Sequence, residues 1–151
     1  MTMHILVHDL DNDIQTYQRA INSSGSYLLE KGYIQPDYIT ACIDREKEYP
    51  TGLLMSNNLG IAIPHANYQL VKEDAISIVR STQGVVFGRM EDADLMVTCQ
   101  LIFNLAFSTS DQHLSILQRL FALFQDENFA INCQKLSCSQ VQQLVNQQLN
   151  P

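Results

Sequence analysis

Pro64 and His65 close a short apolar run, Gly60-Ile61-Ala62-Ile63, and this step holds the most chemical promise in the chain. Residues 60–63 predict a strand. Proline fixes φ near −65° and lacks an N–H, so it ends a strand ladder. The next side chain is then presented from stiff backbone. Imidazole titrates near neutrality, and its neutral nitrogen is a good nucleophile. A histidine so placed suits group transfer; taken alone, it also suits a hydrogen-bonded structural role. Arg45, His113 and the Thr51-Gly52 step fall at the ends of other predicted elements. One arginine and two histidines can converge on a phosphoryl group: one histidine attacks phosphorus, while the other and the guanidinium hold the equatorial oxygens. Backbone N–H groups at the start of a helix over residues 111–125 would add positive potential. The plainer reading of Arg45 is a solvated residue in the run Asp44-Arg45-Glu46-Lys47-Glu48, and of His113 an ordinary first-turn residue.

Other chemistries find little support. No Ser-His-Asp order, glycine-rich phosphate loop or H-E-x-x-H helix is present. His4 and His8 lie four apart on a predicted strand, on one face but too far separated to make a convincing ligand pair. The four cysteines, Cys42, Cys99, Cys133 and Cys138, form no C-x-x-C pair and no zinc-finger spacing with histidine. Free thiols in a reducing compartment are expected, with neither structural metal nor disulfide. The net charge of −7 argues against sequence-independent nucleic-acid binding. The start, MTMHILVHDLDND, lacks the basic opening and apolar core of a secretory leader. No segment reaches the roughly 20 apolar residues of a membrane helix, so a soluble cytoplasmic protein without membrane insertion is expected.

The 151 residues, 46% of them hydrophobic, fit a single domain over 1–151 with a full core. Residues 3–7 predict a strand. Asp11 or Asn12 can cap a helix with Ile14, Tyr17, Ile21 and Leu28 on one face, closed by Gly32 and weakened by Ser23, Ser24 and Gly25. Pro36 and Asp37 start a second helix, with Ile39, Cys42 and Ile43 inward, that Pro50 stops. Strand pieces follow at 52–55, 60–63, 75–80 and 85–87. Residues 95–107 alternate, with Val97, Cys99, Leu101, Phe103, Leu105 and Phe107 on one face. Ser110 or Asp111 can cap a helix bearing Leu114, Leu117, Leu120, Phe121 and Phe124. A short helix over 127–131 and a last helix opened by Ser137 or Ser139 complete the chain. Helices, then clustered strands, then helices imply one mixed sheet with helices on its faces: an α/β (mixed α+β) fold.

The strings Ile43-Asp44-Arg45-Glu46-Lys47-Glu48-Tyr49-Pro50-Thr51-Gly52-Leu53, Gly60-Ile61-Ala62-Ile63-Pro64-His65-Ala66 and Asp111-Gln112-His113-Leu114 resemble the IIA domain of the bacterial phosphotransferase system, mannitol/fructose type (EIIA type 2). The Tyr-Pro-Thr-Gly form points to its galactitol-like branch. The resemblance covers roughly residues 10–148. It implies a mixed sheet of about five strands sandwiched by helices. It implies that His65 accepts a phosphoryl group through Nε2, that Arg45 supports the phosphate and that His113 is a second active-site histidine. It implies a sugar or polyol phosphoryl relay without cofactor or metal: phospho-HPr as donor, an EIIB component as acceptor, and coupling to a membrane EIIC. The alternative it leaves is a regulatory, nitrogen-type EIIA-like protein that binds other proteins according to its phosphorylation. A histidine that meets two proteins in turn should stand near the surface. Ala62, Ile63, Ala66 and Leu114 are small or apolar, and some of them are expected to be partly exposed around it as an apolar rim.

Overall fold

The computed structural model describes residues 2–151, apart from the side chains of residues 110–113. Five strands form one mixed sheet: β1 (His4–Asp9), β2 (Gly52–Leu54), β3 (Gly60–Ala62), β4 (Ala75–Gly88) and β5 (Met96–Ala106). Their spatial order is β1-β4-β5-β3-β2. The β1–β4 and β3–β5 pairings are parallel; β4–β5 and β2–β3 are antiparallel. Five helices accompany them: α1 (Tyr17–Glu30), α2 (Tyr38–Glu48), α3 (Ser110–Phe124), α4 (Glu127–Lys135) and α5 (Cys138–Leu149). The expected α/β sandwich is therefore present.

Two cores lie on opposite faces of the sheet. Ile21 and Leu28 of α1 and Tyr38 and Cys42 of α2 pack with Val79, Phe87 and Ile102. On the other face Leu120, Phe124, Phe129, Val141 and Val145 of α3, α4 and α5 pack with Ile5, Ile61, Ile78, Phe103 and Leu105. Phe103 and Phe124 meet edge to face at 5.0 Å between centroids, a geometry favoured by the ring quadrupoles. Burial of both faces explains why these strands read as nearly continuous apolar runs. The edge at β1 is closed by α5 side chains: Gln142 Nε2 donates to the Ile5 carbonyl at 2.8 Å, and Asn150 bonds both the N–H and the carbonyl of Met3. An edge so occupied offers little template for a foreign strand.

The structure corrects several sequence expectations. The pieces at 75–80 and 85–87 are one strand. The register slips between Arg80 and Val85, where residues 81–84 face the single residue Gln100. Gly84 takes the left-handed conformation, φ 86°, and donates its N–H to Ser81 Oγ; glycine accepts that conformation without steric cost. The irregularity also breaks the single face expected along residues 95–107. Val97 and Cys99 pack with α1 and α2, whereas Leu101, Phe103, Leu105 and Phe107 pack on the opposite face. The first helix starts later than expected, with Thr16 as its cap accepting from Arg19 N–H. It runs unbroken through Ser24, whose buried hydroxyl donates to the Ile21 carbonyl and accepts from Asn104 Nδ2. Tertiary bonding here overrides a weak local propensity. The helix expected over 127–131 extends to Lys135. Ser137 caps α5 in a reciprocal box with Gln140, as one of its two expected starts. The caps expected at Ser110 or Asp111 lie outside the described side chains.

Gly60 begins β3 directly against β5. A Cβ there would overlap the Thr98 carbonyl oxygen and crowd Cys99 Cα. These are backbone atoms that cannot rotate away. Gly60→Ala is expected to lower Tm by roughly 10 °C, a loss of about 3 kcal/mol in a chain of this size. Thermal unfolding followed by circular dichroism checks it; an unchanged Tm would show that β3 shifts freely along β5.

Candidate active site

β3 ends at Ala62, but its pairing with β5 continues. The Pro64 carbonyl accepts the Leu105 N–H at 2.9 Å, and His65 lies opposite Leu105 in parallel register. Proline costs nothing here, because β5 uses its carbonyl and not the missing N–H. The residue before proline is restricted to extended backbone. Ile63 and Pro64 therefore hold His65 at a fixed exit from the sheet. Ile63 is 1% exposed, while His65 itself is half-buried and reaches the surface.

The imidazole Nδ1 lies 2.8 Å from the Ile63 carbonyl oxygen. A carbonyl only accepts, so Nδ1 carries the proton and donates it. In the neutral ring Nε2 then holds the lone pair. The backbone thus decides which nitrogen is nucleophilic.

Behind this step runs a chain of hydrogen bonds that the sequence reading missed. The Ile63 N–H donates to Thr51 Oγ1 at 3.2 Å. Thr51 Oγ1 in turn donates to Glu46 Oε1 at 2.8 Å, and the Thr51 N–H donates to Glu46 Oε2 at 2.6 Å. Glu46, read from sequence as part of a charge run, is only 4% exposed. Burial pushes its carboxyl up to about 7; the two Thr51 bonds and the nearby Arg45 charge act in the other direction. Its spacing was the available signal: Glu46 follows Tyr38 and Cys42 at four-residue intervals, on the inward stripe of α2.

A second buried network supports the partner strand. Tyr38 Oη donates toward both the Leu105 carbonyl at 2.8 Å and Asn104 Oδ1 at 2.9 Å. Asn104 Nδ2 continues to Ser24. Burial raises the Tyr38 phenol well above its usual range, with the Cys42 thiol adding to the rise and a bond from the Ala66 backbone opposing it. The residues on either side of His65's pairing are therefore tied to α1 and α2. Just beyond this same end of β5, Asp74 Oδ1 accepts from both the N–H and hydroxyl of Ser108, at 2.6 and 2.8 Å. This holds the turn that leads into α3.

Arg45 stands exposed in the last turn of α2, its guanidinium 5.5 Å from the Tyr49 ring centroid. It neighbours Glu46, and so the helix end that is bonded through Thr51 to Ile63. The side chain of His113 lies outside the described residues. Its helix begins at Ser110, five positions after the Leu105 that faces His65. Of the four expected rim residues, two reach the surface: Ala66 is half-buried and Leu114 is 61% exposed, while Ala62 and Ile63 are core residues. Leu114 precedes the stretch of α3 that packs on the sheet, which starts at Ile116. His4 and His8 stack on Tyr33 and Tyr27, at 4.4 and 3.5 Å between centroids. They serve as packing surfaces on the α1 side of β1. All four cysteines are unpaired. Burial drives the thiols of Cys42, Cys99 and Cys133 upward, the latter two to about 12, which leaves them protonated and inert. Among the described residues, no group of three or more His, Cys, Asp or Glu could hold a metal ion, and no helix is long and apolar enough to cross a membrane.

Fold and site together define an α/β domain that presents one histidine Nε2 at the end of a parallel strand pairing. Residues 4–149 match the family described as the phosphoenolpyruvate-dependent sugar phosphotransferase system, EIIA 2, and the chain belongs to that family. It is 32% identical over 117 residues to the mannitol-specific phosphotransferase enzyme IIA component of Enterococcus faecalis, a match covering 74% of each chain. It is 35% identical over 101 residues to the galactitol-specific EIIA component of Escherichia coli K12, covering 67% of this chain and 66% of that one. The fold is shared with the IIA mannitol enzyme of Escherichia coli, solved in complex with phosphorylated IIB mannitol enzyme. There the TM-score is 0.69 at 23% identity, covering 97% of this chain and 94% of the other.

The buried Glu46 has a consequence for stability. Its carboxyl holds a proton to about pH 7 in the folded chain, against an ordinary value of 4.5. Between these values the folded state binds more protons than the unfolded state, so this group's contribution falls as pH rises through the window. The loss is ~3 kcal/mol across it. Glu46→Gln is expected to remove that slope. Urea unfolding of both proteins between pH 4.5 and 7.5 measures it. Parallel stability curves would show that Glu46 is ionised throughout. The groups that face it are Arg45 and Cys42 on its own helix, Thr51, and Cys99 of β5.

Proposed function

We propose that the chain is the phosphoryl-relay component of a sugar-alcohol uptake system, with His65 as its only phosphoryl acceptor. The observation that carries this reading is the Nδ1–H bond to the Ile63 carbonyl, which leaves the neutral ring's lone pair on Nε2. In the step proposed, Nε2 attacks the phosphorus of phospho-HPr, a phosphohistidine donor. The new N–P bond forms as the donor's N–P bond breaks, and that electron pair returns to the donor nitrogen. The proton stays on Nδ1, donated to the Ile63 carbonyl, throughout. The transfer runs between nucleophiles of similar strength, so the protein supplies position and charge and no cofactor is needed.

Arg45 is assigned to the phosphate oxygens, where a planar fork of donors fits better than a point charge. Its exposure leaves the guanidinium available, and its place beside Glu46 ties its helix end to the His65 strand end. His113 is assigned with Arg45 to the equatorial oxygens of the phosphate, on the strength of its place in the first turn of α3. The acceptor is an EIIB component, whose site is a cysteine in the galactitol branch, and the relay serves a membrane EIIC from the cytoplasm. Support for the EIIB partner comes from the fold relative solved with a phosphorylated IIB enzyme. The galactitol-type assignment rests on the Tyr49-Pro50-Thr51-Gly52 form and the similarity to the galactitol-specific component.

Two measurements test the reading. Incubated with enzyme I, HPr and phosphoenolpyruvate, the wild-type chain should gain one acid-labile phosphate and His65→Ala none; label surviving in that variant would sink the assignment. Arg45→Lys should slow transfer roughly 10-fold, about 1.4 kcal/mol in the barrier, with Tm unchanged because the side chain is exposed. A wild-type rate in that variant removes Arg45 from the site.

A further inference from the structure

Glu46 is a buried titratable group that the transfer step does not use. A carboxylate taken out of water is costly, and an apolar side chain of similar size would fill the space more cheaply. Its neighbours Arg45, Lys47 and Glu48 are all exposed, so the helix end has water close at hand. Yet Glu46 turns inward, and both its described hydrogen bonds go to one residue, Thr51.

Thr51 stands where the β2–β3 ladder stops. Gly52 pairs with Ala62, Leu53 with Ile61 and Leu54 with Gly60. One step further, the Ile63 N–H bonds a side-chain hydroxyl, Thr51 Oγ1, in place of a backbone carbonyl. A hydroxyl rotates, and Glu46 Oε1 takes its proton and so fixes its direction. With the N–H of Ile63 held and its ψ restricted by Pro64, the Ile63 carbonyl has one direction left. That carbonyl is the acceptor for His65 Nδ1.

We infer that Glu46 and Thr51 are positioning residues for the transfer: through Ile63 they set the tautomer and orientation of His65, and so hold Nε2 as the nucleophile. This rests on the relay reading of His65. It assigns an active-site role to two residues that contact neither phosphate nor partner. Outer partners of functional imidazoles act in this way at metal sites, where they fix the tautomer and ring direction.

The test compares wild type with Thr51→Val, Thr51→Ser and Glu46→Gln, each first checked for folding by its amide NMR spectrum. Nitrogen-15 NMR of the imidazole reads the tautomer of His65 without any phosphoryl donor. Initial rates with phospho-HPr then give kcat and KM. Wild type should carry its neutral-ring proton on Nδ1. Thr51→Val, which keeps shape but loses the hydroxyl, should shift population toward Nε2–H and lower kcat roughly 10-fold with KM unchanged. Thr51→Ser should restore both, and Glu46→Gln should move both in the Val direction by less. A Thr51→Val protein with only a lower Tm, an unchanged tautomer and a wild-type kcat would overturn the inference. If Thr51→Val does not fold, the isosteric Glu46→Gln decides on the same two readouts. A wild-type chain that takes no phosphate refutes the relay reading, and the tautomer comparison still decides whether Glu46 and Thr51 control His65.

Discussion

One backbone carbonyl governs the chemistry of this molecule. The Ile63 oxygen, 2.8 Å from His65 Nδ1, can only accept, and therefore leaves the lone pair on Nε2. A carbonyl can do this only if its own residue is immobile, and much of the surrounding structure bears on that requirement. Ile63 lies between a ladder that ends and a proline that permits no rotation. Its N–H is held by Thr51, and the next carbonyl is held by Leu105. The strand that supplies Leu105 is held in turn by Tyr38 from the opposite helix layer. Each bond alone is modest, about 1 kcal/mol net. Together they fix a direction, which matters more to transfer than their summed energy.

The sheet's topology explains why the site lies where it does. β3 is short and runs parallel to β5, so both point the same way and both end beside His65. The chain leaves β5 and enters α3 within a few residues, which brings a helix N-terminus to the same end. The end of α2 arrives through Glu46. Three segments therefore meet at one sheet end, although the strings that carry them, 43–53, 60–66 and 111–114, are separate in sequence. Helices cover both faces of the sheet, and Gly60 lets β3 approach the Thr98 backbone of β5 closely.

How far the sequence was legible follows from the range of each interaction. Pro64-His65 could be read because its restraint is local: proline's ring acts on the residues beside it. The helices could be read from their stripes, and the start of the last one narrowed to Ser137 or Ser139, of which the box with Gln140 selects Ser137. The long β4 strand could not, since its continuity across residues 81–84 depends on what β5 places opposite. The change of face along β5 has the same origin, and alternation alone gave no sign of it. Glu46 was misread because a charged residue among four others looks solvated. Its partner Thr51 is five residues away across a proline turn, and only the fold closes that gap. Ser24 was misread for the same kind of reason: its partner is Asn104, eighty residues on.

The buried carboxyl shows how local cost and site geometry are traded. Taken alone, Glu46 weakens the fold as its proton is lost, and two bonds to Thr51 offset only part of that. A neutral amide or an aliphatic side chain would spare the desolvation. Neither would do the same work. An amide presents one acceptor oxygen and an aliphatic chain none, whereas the carboxylate that Glu46 becomes above about pH 7 takes the Thr51 N–H on one oxygen and its hydroxyl proton on the other. Only that arrangement leaves Thr51 Oγ1 with its lone pairs turned to Ile63. Strained or costly groups concentrate where direction matters more than stability. The uncompensated part of Glu46's burial lies two hydrogen bonds from the residue whose carbonyl sets the nucleophile, in a sheet whose two faces are both buried against helices.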